Sequence, residues 1–122
     1  MKLHLTTAEN NYLITAYGAG FVEINRQRYT QDLIVMADKL VLDWHAANFA
    51  NLSAANFEKL ITLTPEVVLF GTGEKHQFLH PSVYQNLTAQ GIPLECMTTA
   101  AACRTYNILM SEGRNVAAVL LV

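Results

Sequence analysis

Hydrophobic positions in the second half of the chain fall into two unbroken runs, residues 67–70 and 116–122, and short continuous apolar runs of this kind suit strands covered on both faces. The first follows Thr64, Pro65 and Glu66 and reads as the sheet centre. The second is too apolar for an exposed tail and should enter the sheet interior, although the short connection before it leaves its direction open. Earlier residues alternate over shorter stretches. Residues 12–17, 21–24, 28–30 and 33–36 read as strands, with a turn at Gly18-Ala19-Gly20, and a meander of hairpins is the simplest arrangement. Residues 39–44 suit one more strand.

Three segments change to helical spacing. Ser53 is a natural cap for residues 53–63, where Ala54, Phe57, Leu60 and Ile61 share a face. Residues 81–90 predict a short helix with Pro81 in its first turn and Gly91 at its end, leading into a strand over 92–96. Strand, helix and strand then form a parallel crossover unit. Residues 98–112 predict the next helix, with Thr98 or Thr99 as its N-cap. Thr99, Ala102, Cys103, Tyr106, Leu109 and Met110 lie along the face that meets the sheet; Arg104, Asn107 and Ser111 form one flank.

No repeat, low-complexity tract or proline-rich linker divides the 122 residues, so one domain spanning 1–122 is expected. The 52% hydrophobic and 15% charged residues argue against disorder and for a well-covered sheet, and are compatible with a homo-oligomer contact. A net charge of −2 with scattered basic residues offers no stripe for a phosphate backbone, which argues against nucleic-acid binding. No run reaches the length of a membrane span and residues 1–11 lack a signal-peptide core, so a cytoplasmic location is expected. Cys96 and Cys103 form neither a disulfide framework nor a zinc or thioredoxin pattern.

Polar groups gather at two places. One is Gly71-Thr72-Gly73, directly after the central apolar run, where glycines permit close backbone approach. The other is Met97-Thr98-Thr99, where a strand gives way to a helix whose first turn directs N–H groups and a partial positive charge outward. Ligands of open α/β sheets bind beyond the carboxyl ends of the strands, so the two turns should share one edge. Gly71, Thr72, Gly73, Met97, Thr98, Thr99, Arg104 and Asn107 are therefore the candidate ligand-binding residues, for a small anionic ligand or a partner's side chain. A third glycine for a dinucleotide and a lysine for a phosphate loop are missing, and no cofactor is implied.

Cys103 is a candidate nucleophile, since a helix N-terminus and Arg104 would both lower a thiol pKa, but a small core cysteine is the more usual fate and no base is evident. His76 and His80 have the spacing of metal ligands on a helix, with Glu74 or Glu95 as a third; Pro81 discourages that helix, and solvated loop histidines are favoured. His4 and His45 lie outside any motif. Asp32, Asp38 and Asp43 read as turn residues, Trp44 as a packing anchor, and Glu112 as an ion-pair partner of Arg104 or Arg114.

Gly18, Trp44 and the stretches 68–73, 91–98, 102–109 and 112–120 together resemble the domain of unknown function 498 family over nearly the whole chain. That family includes bacterial and archaeal proteins without an assigned reaction and the mitochondrial respiratory complex I assembly factor 3. The resemblance implies a three-layer α/β single domain with a mixed central sheet and an additional N-terminal β-hairpin layer. It further implies protein contacts of the kind made in complex assembly, although no mitochondrial targeting segment is expected here. A non-enzymatic interaction or assembly-type module is thus the leading expectation, with a small cysteine enzyme as the alternative.

Overall fold

A computed structural model describes residues 11–44 and 49–122. His4 and His45 lie outside the described residues. Five strands form the central sheet: β4 (Leu33–Met36), β5 (Lys39–Val41), β6 (Val67–Gly71), β7 (Leu94–Met97) and β8 (Val116–Leu120), in the order β5-β4-β8-β6-β7. β6 runs parallel to both β7 and β8, whereas β4 is antiparallel to β8 and β5, so the sheet is mixed. A separate antiparallel sheet contains β1 (Ile14–Gly18), β2 (Phe21–Ile24) and β3 (Gln27–Tyr29). The helices are α1 (Ala54–Leu63), α2 (Gln85–Ala89) and α3 (Thr99–Ser111).

The unbroken apolar runs are explained by burial from both sides. Successive residues of a strand point to opposite faces. Leu33 and Val35, Val67 and Leu69, and Val116, Ala118 and Leu120 pack on one face with Ala102, Cys103, Tyr106 and Met110 of α3 and with Ile14, Val22 and Ile24 of the small sheet. Ile34, Met36, Val68, Phe70, Ala117 and Val119 pack on the other with Trp44, Phe57 and Leu60. The register matches this division, pairing Leu33 with Leu120 and Leu69 with Ala118. The result is three layers: α1 and α2, the central sheet, then α3 beside the small sheet.

The structure fixes what hydrophobic pattern left open. β8 lies between β4 and β6 and runs with β6, so the connection through α3 carries the chain from edge strand β7 across β6. Several boundaries are shorter than the pattern suggests: β5 ends at Val41, and residues 81–90 divide into a 3₁₀ turn at Pro81–Val83 and the five-residue α2. Trp44 is 4% exposed, its indole N–H bonded to the Asn56 carbonyl at 2.6 Å and its ring edge-on to Phe57 and Phe70.

The expected ion pair of Glu112 is corrected. Arg114 turns instead to Glu66 at 2.9 Å, and the same carboxylate accepts the Asn115 amide, so the pair closes the start of β6 against the start of β8. These two donors hold the Glu66 carboxyl below the usual carboxylate range. The aspartates are also placed: Asp38 pairs with its neighbour Lys39, Asp43 with Lys59 of α1, and Asp32 accepts the Val122 amide at 2.9 Å.

Candidate functional site

Parallel pairing brings the carboxyl ends of β6, β7 and β8 to one edge. Gly71 stands in register with Met97 on one side and Leu120 on the other. Beyond the last rungs the backbone continues the ladder: Thr72 N–H donates to Met97 O at 2.8 Å, and Leu121 N–H donates to Gly71 O at 3.0 Å. The turn after β6 and the start of α3 therefore meet directly.

Thr99 joins them. Its amide donates to Gly73 O at 2.9 Å, while its hydroxyl accepts the Gly73 amide at 2.8 Å and donates to Leu121 O at 2.7 Å. One side chain thus ties the β6 turn, the α3 N-terminus and the end of β8. Gly71 is required for this approach, since a Cβ there would lie 2.9 Å from Thr99 Cα and 3.2 Å from Ala102 Cβ. Thr98 is the N-cap, its hydroxyl accepting the Ala101 amide at 3.2 Å. Thr72, 4% exposed, closes the loop after β6, its hydroxyl 2.6 Å from Lys75 O and accepting the Gln77 amide at 3.2 Å.

Beside this junction lies an open hollow of about 450 Å³. Its lining includes Gly73, Thr98 and Thr99 of the expected site, but the opposite wall is Tyr17, the Gly18-Ala19-Gly20 turn, Leu121 and Val122. Glu74 and Ala100 complete it. The small sheet, packed beside α3 through Ile14 and Tyr17, provides the Tyr17 to Gly20 part of this wall, and the residues after β8 provide the rest. Nothing in the hydrophobic pattern places the hairpin turn against the ends of strands 50 to 100 residues later, which is why these residues escape sequence reasoning.

Other expected site residues have different work. Gly71, Thr72 and Met97 frame the junction without lining the hollow. Asn107 clips β1 to α3, its side-chain oxygen accepting the Ile14 amide at 3.0 Å and its amide group donating to Ile14 O at 2.7 Å. Arg104 is exposed outside the lining and donates to the Tyr17 hydroxyl at 3.2 Å. Tyr106, fully buried, donates to Tyr12 O at 2.7 Å, and burial raises its phenol pKa.

Cys103 faces the core with no exposure. Burial pushes its thiol up to about 12, and the nearby Arg104 charge only partly opposes that shift. A nucleophile needs the opposite environment. The half-buried Cys96 thiol is raised by burial as well, with the Leu79 amide acting against the rise. His80 caps the Pro81–Val83 turn by accepting the Ser82 amide at 3.1 Å, and His76 packs at a tilt against exposed Phe78 at 4.3 Å between ring centres. Among the described residues no group of three His, Cys, Asp or Glu is placed to hold a metal, and no helix is long and apolar enough to cross a membrane.

Comparison with known proteins gives consistent findings. The family model described as protein of unknown function (DUF498/DUF598) matches residues 14–121. NADH dehydrogenase (ubiquinone) 1 alpha subcomplex assembly factor 3 of Xenopus tropicalis is 29% identical over 122 residues, covering 98% of this chain and 66% of that protein. The 13 kDa major membrane protein of Francisella tularensis subsp. holarctica (strain LVS) is 30% identical over 108 residues, covering 86% of each. A crystal structure from Bordetella parapertussis superposes with a TM-score of 0.85 at 38% identity, covering 91% of this chain and 95% of that one. The chain spans about half to two thirds of the length of the assembly factors it matches.

Proposed function

This chain belongs to the DUF498/DUF598 family of proteins of unknown function, and from that premise we propose that it is a non-enzymatic, assembly-type interaction module whose hollow beside Thr99 receives a side chain of a protein partner. The observation that carries this reading is the character of the hollow. Its walls are small or apolar at Ala19, Ala100, Leu121 and Val122, and the polar groups at its floor already bond one another. Such a surface binds by burying apolar area rather than by proton or group transfer. The names of the related assembly factors support the same role.

The cysteine-enzyme reading loses its support with the burial of Cys103. The notion of a purely anionic ligand is weakened as well. Gly73 O and the Thr98 hydroxyl occupy the first-turn amides of Thr99 and Ala101, and Glu74 sits at the edge. The module is assigned to the cytoplasm on this reading, and fractionation of the native protein checks that assignment.

Affinity capture from native cells, with Ala19→Trp as a plugged variant, tests the role. Ala19 is an exposed turn residue, so the substitution fills the hollow's mouth without entering the core. A partner retained by the natural chain and lost by the folded variant is the expected outcome. Equal retention would refute the hollow as the contact, and rapid labelling of Cys103 at neutral pH would revive the enzyme.

A further inference from the structure

Beside the hollow stands a charge without a counterpart. Arg104 lies four residues after Ala100, so the two stack on one side of α3, and Ala100 lines the hollow. The guanidinium has five N–H donors, and one of them reaches the Tyr17 hydroxyl at 3.2 Å. That contact ties Arg104 to the hydroxyl of a tyrosine that is itself a wall of the hollow. Among the described residues no carboxylate lies within ion-pair distance of Arg104, whereas Lys39, Lys59 and Arg114 each have one. An arginine held by an aromatic hydroxyl thus stands beside a mainly apolar hollow.

We propose that the hollow takes a partner segment presenting an apolar side chain next to a carboxylate, with the apolar group between Ala19, Ala100 and Leu121 and the carboxylate on Arg104. This inference rests on the interaction-module reading above. Arginine suits the task because its planar fork offers parallel donors that match a carboxylate. Tyr17 restricts that fork in advance, which lowers the ordering cost on binding. Glu74 in the lining sets the direction, since it repels an acidic group placed beside it and favours one placed on Arg104. An acidic-apolar peptide satisfies both halves of the site; a free inorganic anion satisfies only one.

Amide chemical-shift titration of the full chain with three small probes tests the proposal. The probes are N-acetyl-L-leucine, its uncharged amide, and acetate. N-acetyl-L-leucine is expected to shift the Gly20, Gly73 and Ala100 resonances saturably. The uncharged amide should bind at the same residues about threefold more weakly, the scale of one exposed charge pair. Arg104→Gln should abolish that difference, and Glu74→Gln should tighten binding of the acidic probe alone. Equal binding of the charged and uncharged probes, an unchanged difference in Arg104→Gln, or acetate shifting Ala100 as strongly as N-acetyl-L-leucine would each overturn the proposal. A photo-crosslinker at exposed Glu74 reads partner occupancy without the plug that a bulky group at Ala19 would make. Retained crosslinks alongside failed probe titrations therefore sink this inference alone, and absent crosslinks sink the interaction reading beneath it.

Discussion

Replacing Gly71 with alanine measures how closely β6 approaches the backbone of α3. The added Cβ would lie 2.9 Å from Thr99 Cα and 3.0 Å from its hydroxyl oxygen, against an optimum of about 3.5–4.0 Å between carbon atoms. The first obstacle is backbone, so α3 or the end of β6 must move. Overpacking of this kind costs about 1–3 kcal/mol. Moving Thr99 also lengthens its bonds to Gly73 and Leu121, adding about 1 kcal/mol. Restricting the unfolded chain returns about 0.4–1 kcal/mol. The net expectation is a loss of about 1–3.5 kcal/mol, or about 4–14 °C in Tm for a domain of this size.

Thermal unfolding of Gly71→Ala, Thr99→Val and the double variant gives the answer as a cycle. Thr99→Val alone leaves the Gly73 amide and the Leu121 carbonyl without their hydroxyl partner and should cost about 2 kcal/mol. Because both changes act on one junction, the double variant should lose less than the sum. Strict additivity, or a Gly71→Ala protein as stable as the natural one, would refute the close approach. Gly73→Ala is the control: its φ of +101° strains an alanine, yet no atom lies within 4 Å of the new Cβ.

Further outcomes follow from the core and the hairpin layer. Tyr106→Ala should destabilise by about 3–5 kcal/mol in denaturant titration, and Tyr106→Phe by about 1–2 kcal/mol through the abandoned Tyr12 carbonyl. Asn107→Ala should cost about 2 kcal/mol and accelerate amide exchange at Ile14, as both clips to β1 disappear. Cys103 has a folded pKa raised from 9.0 to about 12, so its contribution is fully present below pH 9 and is lost as pH rises toward 12. Stability measured across that window should fall, and less steeply in Cys103→Ala; an identical slope would refute the assignment.

The faces of α3 were legible in the sequence because burial and helical period agree there: Thr99, Ala102, Cys103, Tyr106 and Met110 are the buried positions. The unbroken runs of β6 and β8 likewise reported cover on both faces. Strand order was not legible. Val116–Leu120 would look the same on either side of β6, and only packing between β4 and β6 decides. The convergence of the Gly71 and Thr98 turns follows from parallel strands ending at one edge, a rule that sequence can invoke. Part of the hollow's second wall comes from a different sheet, so Tyr17, Ala19 and Gly20 gave no sign of it. Asn107 shows the converse: a polar residue on a helix flank invites a ligand reading, whereas its amide was already matched to the Ile14 backbone. Arg114 choosing Glu66 over Glu112 is a contact across 48 residues that spacing along one helix could not predict.

Site-specific photo-crosslinking tests the central claim most directly. With the crosslinker at exposed Glu74, on the hollow's lining, native partners should be captured and mapped to one segment. The same group at exposed Ile108 on α3, outside the lining, should capture little. Equal capture at the two positions, or capture at Ile108 alone, would contradict the account.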